Sequence, residues 1–335
     1  MQKSQTDYIS KMEVAYKNRL LITVLLLSCI LGACNKDKIT LQTQEIQTPT
    51  SDDLNTVFFV DALHGFAAGG TKYDRGILIK TKNGGQSWSS ADSVGPKAIY
   101  ASHFFTAEKG FIGAFDSHVG YTSDSGKTFS NRVFMNYLPI RGLAFFDTQN
   151  GVFVAGTNYS DGSWAVTHDG GMHWTESPLQ IHSFRCVDYA DAQNVCVGGY
   201  GTLLHSGDGG DHFDVVKKEG DFYTGLQFMN DSRGVAVGYQ GEILLTTDKG
   251  LTWKKIKSIN QPFETQDHFL GVSFFDAQHG YVVGESGLMM RTTDGGENWK
   301  RVKAFTDKSL RAVQLLTATS GVIVAEGGKV FLFKE

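Results

Sequence analysis

Three arginines, Arg141, Arg185 and Arg311, occupy equivalent places in a repeated first strand. The column reads Asn55, Tyr100, Arg141, Arg185, Thr224, Leu270, Arg311. Guanidinium groups brought together from separate repeats suit carboxylate, sulfate or phosphate, which they grip with forked hydrogen bonds. Tyr100 shares the column. Two extended loops, Thr71–Arg75 and Thr157–Asp161, belong to the same end of the repeat and add Tyr73, Arg75 and Tyr159. Tyrosine beside arginine is a composition of recognition surfaces. These seven side chains, Arg141, Arg185, Arg311, Tyr100, Tyr73, Arg75 and Tyr159, are the candidate ligand or partner site. The longest inter-repeat connection, Ser258 to His268, reaches the same rim as a candidate flap. The competing reading is that each arginine pairs locally with an acid or a carbonyl.

Other reactive residue types are explained by the fold. Six turns share one pattern, of which Thr292-Thr293-Asp294-Gly295-Gly296-Glu297-Asn298-Trp299 is the fullest form. Their acidic or amide positions are Asn83, Asp124, Asp169, Asp208, Asp248 and Asp294, spaced 39 to 46 residues apart. An Asp or Asn side chain accepts hydrogen bonds from the backbone just after it, and glycine supplies the positive φ that closes the turn. Six copies of one turn are architecture, not six active sites, and their spacing is not that of a calcium loop. His168, His173, His205 and His212 fill positions in or beside these turns and do not form a zinc spacing. No metal, cofactor, phosphate loop or serine elbow is indicated.

A period near 42 residues with turn signals throughout marks a repeat architecture. Each repeat reads as four short antiparallel strands. Leu143-Ala144-Phe145-Phe146-Asp147-Thr148-Gln149-Asn150-Gly151-Val152 shows the first strand, a turn and the start of the second. Such units are the blades of a β-propeller. Six carry the box. A seventh, beginning at Leu310, has three strands and then the chain stops, so the stretch Ile39–Gln47 is expected to pair with Val330–Phe333 and close the ring. The expected fold is an all-β, seven-bladed propeller over residues 52–335.

The boxes, with the Phe-Phe-Asp-x-x-x-Gly and Val-Val-Gly elements at this period, resemble the BNR or Asp-box propellers of the photosystem II stability/assembly-factor type. That resemblance implies a non-catalytic scaffold that binds proteins. Asp-boxes also occur in sialidases, and the alternative is a sialidase-like glycoside hydrolase in which the arginines seat an anionic sugar. That chemistry resembles a tyrosine nucleophile assisted by Glu, with a separate Asp as acid/base. Tyr223 or Tyr100, with Glu219, Asp221 or Glu264, are the residues available.

The start of the chain carries different information. Lys11, Lys17 and Arg19 precede the apolar run Leu20 to Ile30, which is too short to span a bilayer. Leu31-Gly32-Ala33-Cys34 follows and resembles a bacterial lipobox, which implies removal of residues 1–33 and lipidation of Cys34. Residues 34–51 would then form a tether and the closing strand, and the protein would sit in the cell envelope, anchored to the outer membrane by lipid. The chain is expected to be a monomer whose partner is an envelope protein or a glycan with anionic groups. A formal net charge of −4 with no basic run speaks against nucleic acid. Cys186 and Cys196 are the remaining cysteines beyond Cys34, and the turn between them does not place them opposite each other, so two buried free thiols are expected.

Overall fold

A computed structural model describes residues 38–335 apart from 91–94, 96, 135–136, 158 and 258–265. Cys34 and the leader, Asn158, Glu264 and most of the candidate flap therefore lie outside the described residues. The chain divides into Met1–Ile39 and a unit from Thr40 to Glu335. Among its described residues the second unit is all β apart from three short 3-10 turns.

Its strands form six hydrogen-bonded sheets, five of four strands and one of six. The expectation of seven blades is thus corrected to six. The fourth and fifth repeats run together in one sheet, through the continuous strands Val195–Ser206 and Asp214–Phe228. The second of these pairs with both Val195–Ser206 and Gly234–Gly238. The physical reason is the short connection. Only Glu219 and Gly220 stand between Lys218 and Asp221, whereas other repeats are separated by longer connections such as residues 177–183. The buried carboxyl of Asp221 accepts the backbone N–H groups of Phe222, Gln240 and Glu242 and holds this passage in place.

The last repeat supplies three strands of its own sheet, and Gln42–Ile46 supplies the fourth. It lies antiparallel to Val330–Lys334, with Gln42 opposite Lys334 and Ile46 opposite Val330. The carboxy-terminal strand is thereby covered instead of presenting an open row of backbone donors and acceptors.

The core lies between neighbouring sheets. Phe111 from the second repeat stacks on Phe145 of the third, with ring centroids 4.9 Å apart, and Trp174 meets Phe145 edge-on at 5.9 Å. The Phe-Phe-Asp-x-x-x-Gly element also has a packing basis. A side chain at Gly151 or Gly280 would begin 2.4 Å from the ring of Phe145 or Phe274. After the ring, Asp147 turns the chain by accepting the N–H groups of Gln149 and Asn150.

Neighbouring inner strands are latched by side chains. Gln227 accepts the N–H of Phe274 at 2.7 Å and donates to its carbonyl at 3.3 Å. Gln314 does the same to Phe59, at 2.7 and 3.2 Å, and so joins the last repeat to the first. Ser273 accepts from Leu315, and Asp188 from Phe228.

Every box has the hydrogen bonds its sequence implies. In the fifth repeat Thr246 donates to Asp248 and accepts from Gly250, Asp248 accepts from Thr252, and the Trp253 indole donates to the Gly250 carbonyl. Gly250 has φ +89°, and a Cβ there would lie 2.1 Å from Sγ of Cys196 in the preceding repeat. Gly250→Ala should therefore cost about 2–4 kcal/mol, from the disfavoured backbone and the overpacked thiol together. A urea midpoint unchanged from wild type would show that the box does not rest against that strand.

Candidate functional site

The arginine column coincides with a recurrent irregularity of the backbone. In each of the seven inner strands the register with the second strand slips at one equivalent residue: Asn55, Tyr100, Arg141, Arg185, Thr224, Leu270 and Arg311. The last strand slips a second time, between Leu315 and Thr317. A β-bulge leaves its extra residue unpaired and re-aims the side chain. The column is thus a set of bulge positions at the start of the inner strands, on the end opposite the boxes. Asn55 and Thr224 use the freedom to reach the next inner strand, donating to the carbonyls of Ile99 and Phe269.

Arg141 and Arg185 are brought together. The Arg141 guanidinium lies over the Tyr100 ring at 4.0 Å, with Nε donating to the Gly156 carbonyl at 3.4 Å. Arg185 lies over Phe222 at 4.8 Å and donates from Nη2 to the Thr157 carbonyl at 2.7 Å. Its Nε is buried without a partner. Burial lowers both pKa values. For Arg185 the neighbouring Arg141 charge adds to burial, and together they bring it down to about 9. Carbonyl dipoles and aromatic faces surround the pair, and no carboxylate is ion-paired with either guanidinium among the described residues. Two like charges so placed favour an anion between them.

Arg311 is differently employed. Its Nη2 donates to Asp53 at 2.9 Å, while the other Asp53 oxygen accepts the N–H of Gly327. The local-pairing reading therefore applies to Arg311. It also applies to Arg75, whose Nε donates to Asp52 at 2.7 Å. Tyr73 is exposed and packs edge-on against Phe115 at 5.0 Å, with Lys72 5.0 Å from its ring centre. Tyr159 is exposed and meets Tyr200 at 5.2 Å, and Tyr200 meets Phe222 at 5.7 Å. A row of rings, Tyr159, Tyr200 and Phe222, thus leads to Arg185. The sequence column located the arginines but not Tyr200 or Phe222. Phe222 lies just after the unusually short passage between repeats, where alignment by period gives it no distinctive place.

Of the residues named for glycoside hydrolysis, Glu264 lies outside the described residues, and Tyr223, Asp221 and Tyr100 are each engaged elsewhere. Tyr223 is fully buried and donates to Glu242 at 2.5 Å, with Lys255 Nζ 3.0 Å from the same carboxylate. Burial and the Glu242 charge raise its pKa well above that of a free phenol. Asp221 is occupied by three backbone N–H groups, and Tyr100 lies beneath Arg141. The box carboxylates are also spoken for. Hydrogen bonds from Thr128, side chain and backbone, bring Asp124 down to about 2, and those from His173 do the same for Asp169. No group of three potential metal ligands occurs among the described residues. Cys186 and Cys196 are buried free thiols, and burial pushes that of Cys186 up to about 12.

Residues 216–326 match the family model described as photosynthesis system II assembly factor YCF48. No curated protein matches the chain in sequence. Among solved structures, YCF48 bound to D1 peptide is 16% identical with a TM-score of 0.67, covering 89% of this chain and 96% of that one. YCF48 from Cyanidioschyzon merolae is 18% identical with a TM-score of 0.65, covering 87% and 98%. The GH74 xyloglucanase from Xanthomonas campestris is 15% identical with a TM-score of 0.65, covering 86% of this chain and 53% of the enzyme. At these identities the likeness concerns the propeller fold.

Proposed function

We propose that the chain, which carries a YCF48-type repeat region over residues 216–326, is a non-catalytic scaffold that binds a partner protein at the bulged ends of its inner strands. The observation that carries this reading is the Arg141–Arg185 pair, half-buried side by side, with no carboxylate ion-paired to either among the described residues, and flanked by a row of tyrosine and phenylalanine rings. A positive, desolvated centre beside exposed aromatics is the composition of a hot spot for an acidic segment. The similar YCF48 structure was solved with a bound peptide, which agrees with a protein ligand in preference to a glycan.

The lipobox-like Leu31-Gly32-Ala33-Cys34 supports a lipid-anchored protein of the cell envelope, with the outer membrane as its site. The tether would lead into Gln42–Ile46, which starts at the box end and runs towards the arginine end. The arginine end would then face away from the membrane.

Capture from envelope extracts by the immobilised chain tests the scaffold reading. A partner retained by wild type and lost with Arg141→Gln/Arg185→Gln is the expected result. Hydrolysis of sialosides that disappears in the same variant would replace the scaffold with an enzyme. Labelling intact cells with a membrane-impermeant amine reagent after [3H]palmitate incorporation tests the anchor. A Cys34→Ala chain that still takes up lipid would remove it.

A further inference from the structure

At the opposite end of the inner strands the central channel widens into a cavity of about 410 Å³. Its wall includes one ionisable acid, Asp188. The latching residues give this acid its significance. Gln227, Ser273 and Gln314 hold the next inner strand with neutral groups, and both glutamines accept the neighbour's N–H and donate to the same residue's carbonyl. Asp188 accepts the Phe228 N–H at 2.7 Å through Oδ2. A neutral side chain suffices for that latch in three other places, so the charge of Asp188 is surplus to it. Among the described residues only backbone N–H groups answer that charge, and enclosure by protein raises its pKa to about 7.

The rest of the wall is aromatic or neutral. Phe58 and His103 line the same cavity. Burial holds His103 neutral, bringing it down to about 4, and raises the Tyr189 phenol, so neither competes for the carboxylate with a charge of its own. Two residues on from Ala144 and Ser273, Phe146 and Phe275 stand exposed beside this opening. A lone carboxylate enclosed with aromatic rings is the composition of an ammonium pocket, where ion pairing and cation–π attraction act together in a partly dry space.

We propose that this channel mouth binds an alkylammonium group, with the cation on Asp188 and the alkyl chain among the aromatic rings. The shared chemistry has two sources, a free amine or a lysine side chain offered by a partner. The site is separate from the arginine end and does not rest on the scaffold reading.

The test uses the full-length chain at pH 8 and isothermal titration calorimetry. The probes are pentylammonium chloride, pentan-1-ol and sodium pentanoate. The amine should bind at least tenfold more tightly than the alcohol, and pentanoate should not bind. Asp188→Asn should weaken the amine at least tenfold while the thermal transition remains cooperative. Gln227→Glu, which adds a carboxylate to the same wall, should tighten it. Equal binding of amine and alcohol, no binding of the amine, or an amine affinity indifferent to Asp188→Asn would each overturn the proposal. A lysine peptide that competes with the amine, and loses this ability on Nε-acetylation or in a Phe146→Ala/Phe275→Ala chain, identifies a protein lysine as the source. Competition confined to small amines identifies a free ligand. Arg141→Gln/Arg185→Gln should leave the amine isotherm unchanged, so failure here and failure at the arginine end are distinguishable.

Discussion

Replacing both Arg141 and Arg185 with glutamine should abolish partner capture and leave the free protein as stable as wild type or more so. The two halves of this result come from the same desolvation. Each guanidinium is partly withdrawn from water without an ion-paired carboxylate among the described residues, and the two stand close enough for the Arg141 charge to depress the pKa of Arg185. In the unliganded chain this arrangement opposes folding, offset by the Thr157 and Gly156 carbonyls and the Tyr100 and Phe222 rings. Glutamine keeps a donor for the carbonyls and removes the repulsion. In the complex, an acidic group between the arginines would recover the missing ion pair in a poorly solvated place, where loss of one partner costs about 2–5 kcal/mol. Affinity should therefore fall by at least about 30-fold, measured by calorimetry on the captured partner, with the melting temperature read in parallel. Arg311→Gln is the control. Its guanidinium already has Asp53, so it should leave capture intact. Loss of capture with Arg311→Gln but not with the double variant would move the site to the last repeat and contradict the assignment.

The contrast between these arginines shows where the sequence stops being informative. The repeat made the column visible because period and strand pattern are local properties, written into each copy of the box and each first strand. It also placed the closing strand, since a three-stranded last repeat leaves an unpaired edge that Ile39–Gln47 is chemically able to cover. The partners of the arginines were not legible. Asp53 meets Arg311 across a separation of 258 residues, and nothing in the spacing distinguishes it from Asp52, which pairs with Arg75 instead. The bulge that aims the whole column was equally hidden, because it is a slip between strands and not a pattern along one. The blade count failed at the Glu219–Gly220 passage. The period counts copies of the turn, whereas sheets are counted by hydrogen bonds, and two repeats joined by so short a connection share one sheet. Asp188 was hidden for a related reason. In the sequence it is an acid in an otherwise unremarked column, and only the glutamines beside it in space show that its charge is not needed for the latch.

Asp188→Asn should raise the unfolding temperature at pH 8, and the gain should shrink to nothing near pH 4. The folded carboxyl has its pKa raised from 3.8 to about 7 by burial. A raised folded value for an acid means that the native state binds the proton more tightly than the unfolded chain does. The stability tied to the protonated form is therefore fully present below pH 3.8 and is lost as pH rises through about 7. The shift of about three units corresponds to at most about 4 kcal/mol, reached above pH 7. The hydrogen-bond pattern explains the direction. When protonated, Asp188 can donate as well as accept, as Gln227 and Gln314 do. When ionised it can only accept, and its second oxygen has no proton to offer the neighbouring strand. Asparagine restores the donor at every pH. The difference between variant and wild type, not the raw profile, is the diagnostic. The exposed Asp61 and the half-buried Asp124 and Asp169, held at about 2 by their hydrogen bonds, oppose it with stability that is lost in acid. They are common to both chains and cancel. Chemical denaturation at pH 4, 6 and 8 measures the difference. A gain that stays constant across this range would mean that Asp188 titrates as a free acid and that its enclosure in the channel wall has no electrostatic consequence. A saturating alkylammonium should reverse the order of the two proteins at pH 8, because it stabilises the ionised form in wild type alone. The channel acid would then be an instability kept for a ligand, as the paired arginines are at the other end.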